Sequence, residues 1–217
     1  MLEKMDVFFE NRLSGYDEHM MLTVDGANEF YRHTASLLPR ADGAELLDLG
    51  CGTGLELEYY FAMNPDARVT GIDMSRGMLD ALRAKFPERS IDLICGSYFD
   101  VDMGRGRYDA VVSVESLHHF TGERKLPLYR SALNALRPGG TFVLTDYFAG
   151  SDAEERAFFD ELSRLQAEQG LNSECGYYHY DTPLTVEHEM AVIRTAGFSD
   201  VAISMQWGAT RTLIARV

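Results

Sequence analysis

Apolar and polar positions along this chain alternate between two rhythms. Short runs rich in Val, Ile and Leu read as strands: Glu45 to Leu49, Arg68 to Asp73, Ile91 to Cys95, Tyr108 to Val114 and Thr141 to Tyr147. Between them, apolar residues recur at helical spacing near Gly54 to Met63, Ser75 to Phe86 and Lys125 to Arg137, and Pro138-Gly139-Gly140 stops the last of these. Such alternation predicts βαβ units and a parallel sheet, the α/β class. Asp200 to Trp207 and Thr210 to Val217 are separated only by Gly208 and Ala209, a link short enough to demand an antiparallel hairpin. The expected sheet has seven strands, parallel except for the C-terminal one.

Two stretches fall outside that alternation. Residues 1–40 carry Phe8, Phe9, Tyr16, Phe30 and Tyr31, with Ala27 to Leu38 at helical spacing up to Pro39, and read as one or two helices capping the mouth of a site. Residues 149–184 interrupt the sheet after its fifth strand. There Ser151 and Glu154 form a capping-box pattern ahead of a helix that ends at Gly170, and ECGYYHYDTP follows. A further helix, Thr185 to Ala196, stops at Gly197. At 217 residues one domain spanning 1–217 is the default expectation.

Chemistry concentrates in LLDLGCGTGL, Leu46 to Leu55. An apolar strand runs through Asp48 into Gly50, Gly52 and Gly54, and an amphipathic segment follows. That order reads as strand, tight turn and helix. The turn needs glycine to visit dihedrals that a Cβ forbids, and the helix presents unpaired N–H groups to a ligand. A dinucleotide fingerprint would place its third glycine at Leu55, whereas here it comes one residue early, at Gly54. A second acid, Asp73, closes the next strand at the distance where a carboxylate grips a ribose diol.

This D-x-G-x-G-x-G pattern, followed by Asp73, resembles motif I of the class I S-adenosylmethionine-dependent methyltransferases. The resemblance implies a Rossmann-like seven-stranded sheet with an N-terminal helical cap and S-adenosyl-L-methionine as cofactor. Asp48, Gly50, Cys51, Gly52 and Gly54 then form the cofactor turn, with Cys51 there as a small side chain, and Asp73 takes the ribose. Met74 and Met78 are placed against adenine. In ICGSYFD the position after Gly96, often acidic in the family, is Ser97; it can still accept a hydrogen bond, and the Tyr98 ring can stack on the base. YDAVVSVESLHHF resembles motif IV, which sets Glu115 beside the sulfonium and makes Glu115, His118 and His119 candidates to orient or deprotonate an acceptor. LRPGGTFVLTDYF matches the turn into the fifth strand, and Asp146 and Tyr147 emerge at its mouth. FFENRLSGYDEHM resembles the family's N-terminal cap, so Tyr16 either closes over the methionine end or staples the cap to the core. The insertion would roof the acceptor pocket. Tyr177, Tyr178, His179 and Tyr180 are its candidate contacts, and the same aromatic cluster suits a homodimer surface equally well.

Charge narrows the acceptor. A formal net charge of −14 lacks the electrostatic footprint for phosphate backbones, which disfavours large RNA or DNA and favours a small molecule or a basic substrate. No apolar run approaches the length of a membrane span, the N-terminus lacks a signal-peptide pattern, and Cys51, Cys95 and Cys175 show no metal spacing. These features suit a reducing cytoplasm and give no reason to expect a metal. Three other functions compete with methyl transfer. The C-terminal third also resembles carboxy-S-adenosylmethionine synthase, but the family's carboxylate-holding arginine is missing from Tyr180, Asp181, Thr182 and Pro183. A nicotinamide oxidoreductase conflicts with Gly54, Leu55 and the hairpin. A non-catalytic cofactor-binding regulator would keep the turn and lack turnover.

Overall fold

Period-two alternation divides each central strand between two cores, because successive side chains leave a strand on opposite faces. In the computed structural model, which describes residues 1–171 and 176–217, Leu47 and Leu49 pack on one face and Leu46 on the other. Val111 opposes Ala110 and Val112 in the same way, and Phe142 and Leu144 oppose Val143. Cys175 and the start of ECGYYHYDTP lie outside the described residues.

The strands are β1 (Glu45–Leu49), β2 (Arg68–Asp73), β3 (Ser90–Cys95), β4 (Tyr108–Val114), β5 (Leu136–Tyr147), β6 (Ser199–Trp207) and β7 (Thr210–Arg216). They form one seven-stranded sheet in the order β3-β2-β1-β4-β5-β7-β6. Pairing is parallel from β3 to β5, and β7 runs antiparallel to both β5 and β6. The expected α/β architecture with one reversed strand is therefore present. Chain order reverses direction beside β1, so the loops after β1 and β4 diverge and leave a crevice at their carboxyl ends.

Helices α4 (Leu55–Met63), α5 (Arg76–Lys85), α6 (Gly122–Ala135) and α8 (Val186–Ala196) accompany the sheet, and α7 (Asp152–Glu168) lies in the insertion. The N-terminal stretch forms three helices rather than one or two: α1 (Met5–Arg12), α2 (Tyr16–Thr23) and α3 (Ala27–Leu37). Gly15 and Gly26, both at positive φ, break what otherwise looks like a continuous segment. The predicted stop at Pro138-Gly139-Gly140 is also displaced. Helix α6 ends at Ala135, and the proline and glycines lie inside β5 as an irregularity, where the register with β4 jumps from Tyr108↔Leu136 to Ala110↔Thr141. In the insertion, Ser151 caps α7 by accepting from Glu154 N, while the Glu154 carboxylate accepts from Gly150 N rather than from Ser151. No helix among the described residues is long and apolar enough to cross a membrane.

Candidate functional site

At the end of β1 the chain turns so tightly that Gly50 N donates to Ile72 O at 2.8 Å. Gly50 has φ +76°, and a Cβ there would stand 2.0 Å from Ser116 Oγ. No side chain fits, so the backbone forms the crevice wall directly. Two residues later, Gly52 N donates to Asp73 Oδ2 at 2.9 Å, and Ser75 N donates to Asp73 Oδ1 at 2.8 Å. Asp73 is thus fixed from two sides, with lone pairs remaining on both oxygens. Burial raises its pKa, and the amide hydrogen bonds work in the opposite direction.

This crevice is a real cavity. Gly50, Gly52, Asp73, Met74, Met78 and Tyr98 line it, together with Tyr16 and Glu115. Other expected residues lie off its wall. Asp48 is buried beneath the turn; its Oδ2 and Glu56 Oε1 have no hydrogen-bond partner among the described residues. Cys51 points down against Gly71, and Gly54 starts α4 against Leu82 and Phe86. Gly96 donates its N–H to Asp73 O, and Ser97 turns toward Tyr177, with Ser97 Oγ 3.4 Å from Tyr177 Oη.

The cap is fastened to this crevice by two carboxylates. Glu10 of α1 accepts from Ser75 Oγ at 2.8 Å and from Gly77 N at 3.2 Å, at the N-terminus of α5. Asp17 of α2 accepts from Thr53 Oγ1 at 2.5 Å and pairs with Lys85 at 2.6 Å. In the Tyr16-Asp17 pair, the acid anchors the helix while the phenol faces the cavity.

A second, larger cleft adjoins the first beneath α1 and α2. Phe9, Tyr16, Glu115 and His119 line both, so these four side chains are the partition between them. Glu115 holds a left-handed φ of +48°, rare for a residue with a side chain and a sign of local strain. Its N–H donates to Thr145 O, and its Oε1 accepts from Thr210 Oγ1 at 3.1 Å. Burial and the neighbouring Asp146 push its carboxyl up to about 7.

Behind Glu115, Leu117–His119 form a short 3-10 turn. His118 Nδ1 lies 2.5 Å from Asp146 Oδ1. Burial alone would lower the His118 pKa, but the Asp146 carboxylate outweighs it and holds the imidazole up at about 9. His119 is lowered by burial and by the His118 charge. Asp181 reaches the same corner, 3.2 Å from His119 Nδ1, and the histidines around it outweigh burial and hold its carboxyl at about 2.

Of the aromatic cluster in the insertion, only His179 reaches this second cleft, with its ring stacked on Phe8 at 3.4 Å. Tyr177 and Tyr178 line a third cleft against α6 and α7, which shares His119 with the other two, beside Arg124, whose guanidinium sits 4.9 Å over the Tyr177 ring. Tyr180 contributes its backbone carbonyl, 3.3 Å from His119 Nδ1. Phe9, Glu10, Ser116 and Asp181 lie in the quoted stretches without being singled out there as site residues; the fold that brings residues near 10, 116 and 181 together reveals them.

Residues 46–140 match the family described as "Methyltransferase domain". The chain is 25% identical to a carboxy-S-adenosyl-L-methionine synthase of Helicobacter hepaticus, over 97% of this chain and 90% of that protein. It is 27% identical to a fatty-acid O-methyltransferase of Mycolicibacterium smegmatis, over 80% of this chain but only 65% of the relative. An O-methyltransferase family protein from Burkholderia thailandensis superposes with a TM-score of 0.69 at 18% identity, over 98% of this chain and 62% of that one. Residues 46–140 thus match a methyltransferase domain, and the sheet order and glycine turn of the chain resemble those of the class I S-adenosylmethionine-dependent methyltransferases.

Proposed function

We propose that the chain carries a methyl group from S-adenosylmethionine in the glycine-turn crevice to a small-molecule acceptor in the adjoining cleft. The observation that carries this reading is the shared partition: two cavities meet at Phe9, Tyr16, Glu115 and His119, with the anchored Asp73 carboxylate in the first. The crevice suits the nucleoside chemically. Asp73 offers a carboxylate to a diol, Gly50 and Gly52 allow close backbone approach, and Met74, Met78 and Tyr98 offer apolar faces to a base.

Bound there, S-adenosylmethionine supplies an already electrophilic methyl on a sulfonium. The protein's contribution is alignment, and holding donor and acceptor in register removes several kcal/mol of the barrier. Tyr16 and Glu115 bound the passage between the clefts, and Glu115 is braced by Thr210 on β7. Burial and the His118 charge lower the pKa of His119, which lines both clefts. Strong negative charge and a cleft enclosed by α1 and α2 favour a small acceptor over a nucleic-acid chain.

A second reading, assembly of a carboxylated S-adenosylmethionine, draws on the synthase likeness across 97% of the chain. Asp181 opposes it. A carboxylate held ionised on the second cleft repels the added carboxylate that such a product carries. Mass spectrometry of nucleosides that copurify with the chain separates the two. Methyl transfer predicts S-adenosylmethionine or S-adenosylhomocysteine; a carboxylated sulfonium would overturn it in favour of the synthase.

A further inference from the structure

Three donor side chains converge where the second cleft meets the loop after β4. His118 and His119 stand together on the 3-10 turn, and Asp181 arrives from the segment preceding α8. Asp181 Oδ1 lies 3.2 Å from His119 Nδ1 and 3.6 Å from His118 Nε2. Ligands held about 2.1 Å from one ion stand roughly 3.0 to 3.5 Å apart along the edges of an octahedron or tetrahedron. The two separations are close to that interval.

The surroundings orient these donors as an outer shell does. His118 turns its Nδ1 to Asp146, which leaves Nε2 directed at Asp181. Asp146 is itself fixed, accepting from Leu117 N at 2.9 Å and from Tyr147 N at 3.0 Å. A carboxylate behind a histidine in this way sets tautomer and ring orientation at metal centres. Opposite, Thr182 N donates to His118 O at 2.8 Å, so the backbone holds Asp181 across from the histidines irrespective of its side-chain contacts. The Tyr180 carbonyl, 3.3 Å from His119 Nδ1, is a further oxygen at the same point. The Asp181 side chain remains 45% exposed, so the cluster is open on the cleft side.

We infer that His118, His119 and Asp181 form a two-histidine, one-carboxylate site for a single divalent first-row transition ion, with its open positions facing the acceptor cleft. Two imidazoles and a carboxylate suit Zn²⁺, Co²⁺ or Fe²⁺ rather than Mg²⁺ or Ca²⁺. The open positions would take a hydroxyl oxygen of the acceptor. That use rests on the methyl-transfer reading, whereas ion binding does not. The sequence gives no warning of the site, because its donors are separated by 62 residues between His119 and Asp181 and share no motif spacing.

Tag-free protein stripped with a chelator and titrated with Co²⁺ tests this through the visible d–d bands of the bound ion, with Zn²⁺ followed by calorimetry. One ion per chain is expected. His119→Ala and Asp181→Ala should each weaken binding at least tenfold, and Asp146→Asn by about 10- to 100-fold through loss of the outer carboxylate. His188→Ala, at an exposed histidine elsewhere, should leave binding unchanged. If His119→Ala fails to fold by circular dichroism, the half-exposed Asp181→Ala carries the test alone. No bound ion in the wild type, or equal binding by the wild type and Asp181→Ala, would overturn the site. Titrating S-adenosylhomocysteine into the same preparations keeps the two proposals apart: nucleoside binding without an ion removes only the metal site, and an ion without nucleoside binding removes only the methyl-transfer reading.

Discussion

The two clefts on either side of Glu115 are built by different means. The glycine-turn crevice is built around the ends of β1 and β2, where Asp73 is held by Gly52 N and Ser75 N within the sheet's own framework, and Met74, Met78 and Tyr98 line it beside them. The second cleft is assembled from side chains of distant segments: the cap helices, Glu115 with His118 and His119, and His179 with Asp181. A cleft of side chains borrowed from separate segments can be refashioned without disturbing the sheet.

Gly50→Ala should break the crevice most completely. A Cβ 2.0 Å from Ser116 Oγ, at positive φ, forces the turn open, and S-adenosylhomocysteine affinity should fall by more than about 100-fold. Gly106→Ala is the matched control: it also has positive φ but nothing within 4 Å, so it should cost about 1 kcal/mol of stability and leave affinity intact. Calorimetric titration and thermal melts of both variants read this directly.

Next in size is the fastening of the cap. Glu10→Gln weakens the charged anchor at Ser75 and Gly77, and Glu10→Ala removes it. Loss of hydrogen bonds to a charged group corresponds to about 1.5–3 kcal/mol, part of which is spent on docking α1. Nucleoside affinity should fall roughly tenfold in Glu10→Ala, and protease cleavage near residues 13–15 should accelerate. Unchanged affinity with faster cleavage would detach the cap from the crevice.

A third effect appears in stability rather than in binding. Burial raises the Asp48 carboxyl well above its ordinary range, with the Glu56 charge adding to the effect. A carboxyl whose folded pKa exceeds its unfolded value contributes stability that is fully present below the unfolded pKa and is lost as pH rises through the folded one. Asp48→Asn removes that loss, so urea denaturation of the unliganded protein at pH 5 and pH 8 should show a shallower decline with pH than the wild type. A parallel decline in both proteins would show Asp48 to be ionised in the fold. The smallest change belongs to the acceptor side. His179→Ala, stacked on Phe8 and off the crevice wall, should leave S-adenosylhomocysteine affinity within about twofold and alter only the dependence on acceptor.

The same contrast governs what the sequence makes legible. Strands β1, β2 and β4, the glycine turn and Asp73 follow from period-two runs, a glycine ladder and one acid at a fixed distance, all of which are local signals. The hairpin follows from a link too short for any crossover. The end of α6 escapes because Pro138, Gly139 and Gly140 read as a helix stop, whereas the neighbouring strand recruits them into an irregular stretch of β5. Glu10 and Asp181 escape because nothing local marks them. Each takes its meaning from a partner that is far away along the chain, Ser75 in one case and the histidine pair in the other. Tyr177 and Tyr178 look like acceptor contacts by composition, yet they turn toward Arg124 and a different cleft.

The central claim is that a nucleoside rests on the carboxylate at the end of β2. Calorimetric titration of S-adenosylhomocysteine into the wild type and Asp73→Ala tests it most directly. One site per chain, weakened on the order of 100-fold in the variant through loss of charged hydrogen bonds, is the predicted result. No binding by the wild type, or equal affinity in the two proteins, would contradict it.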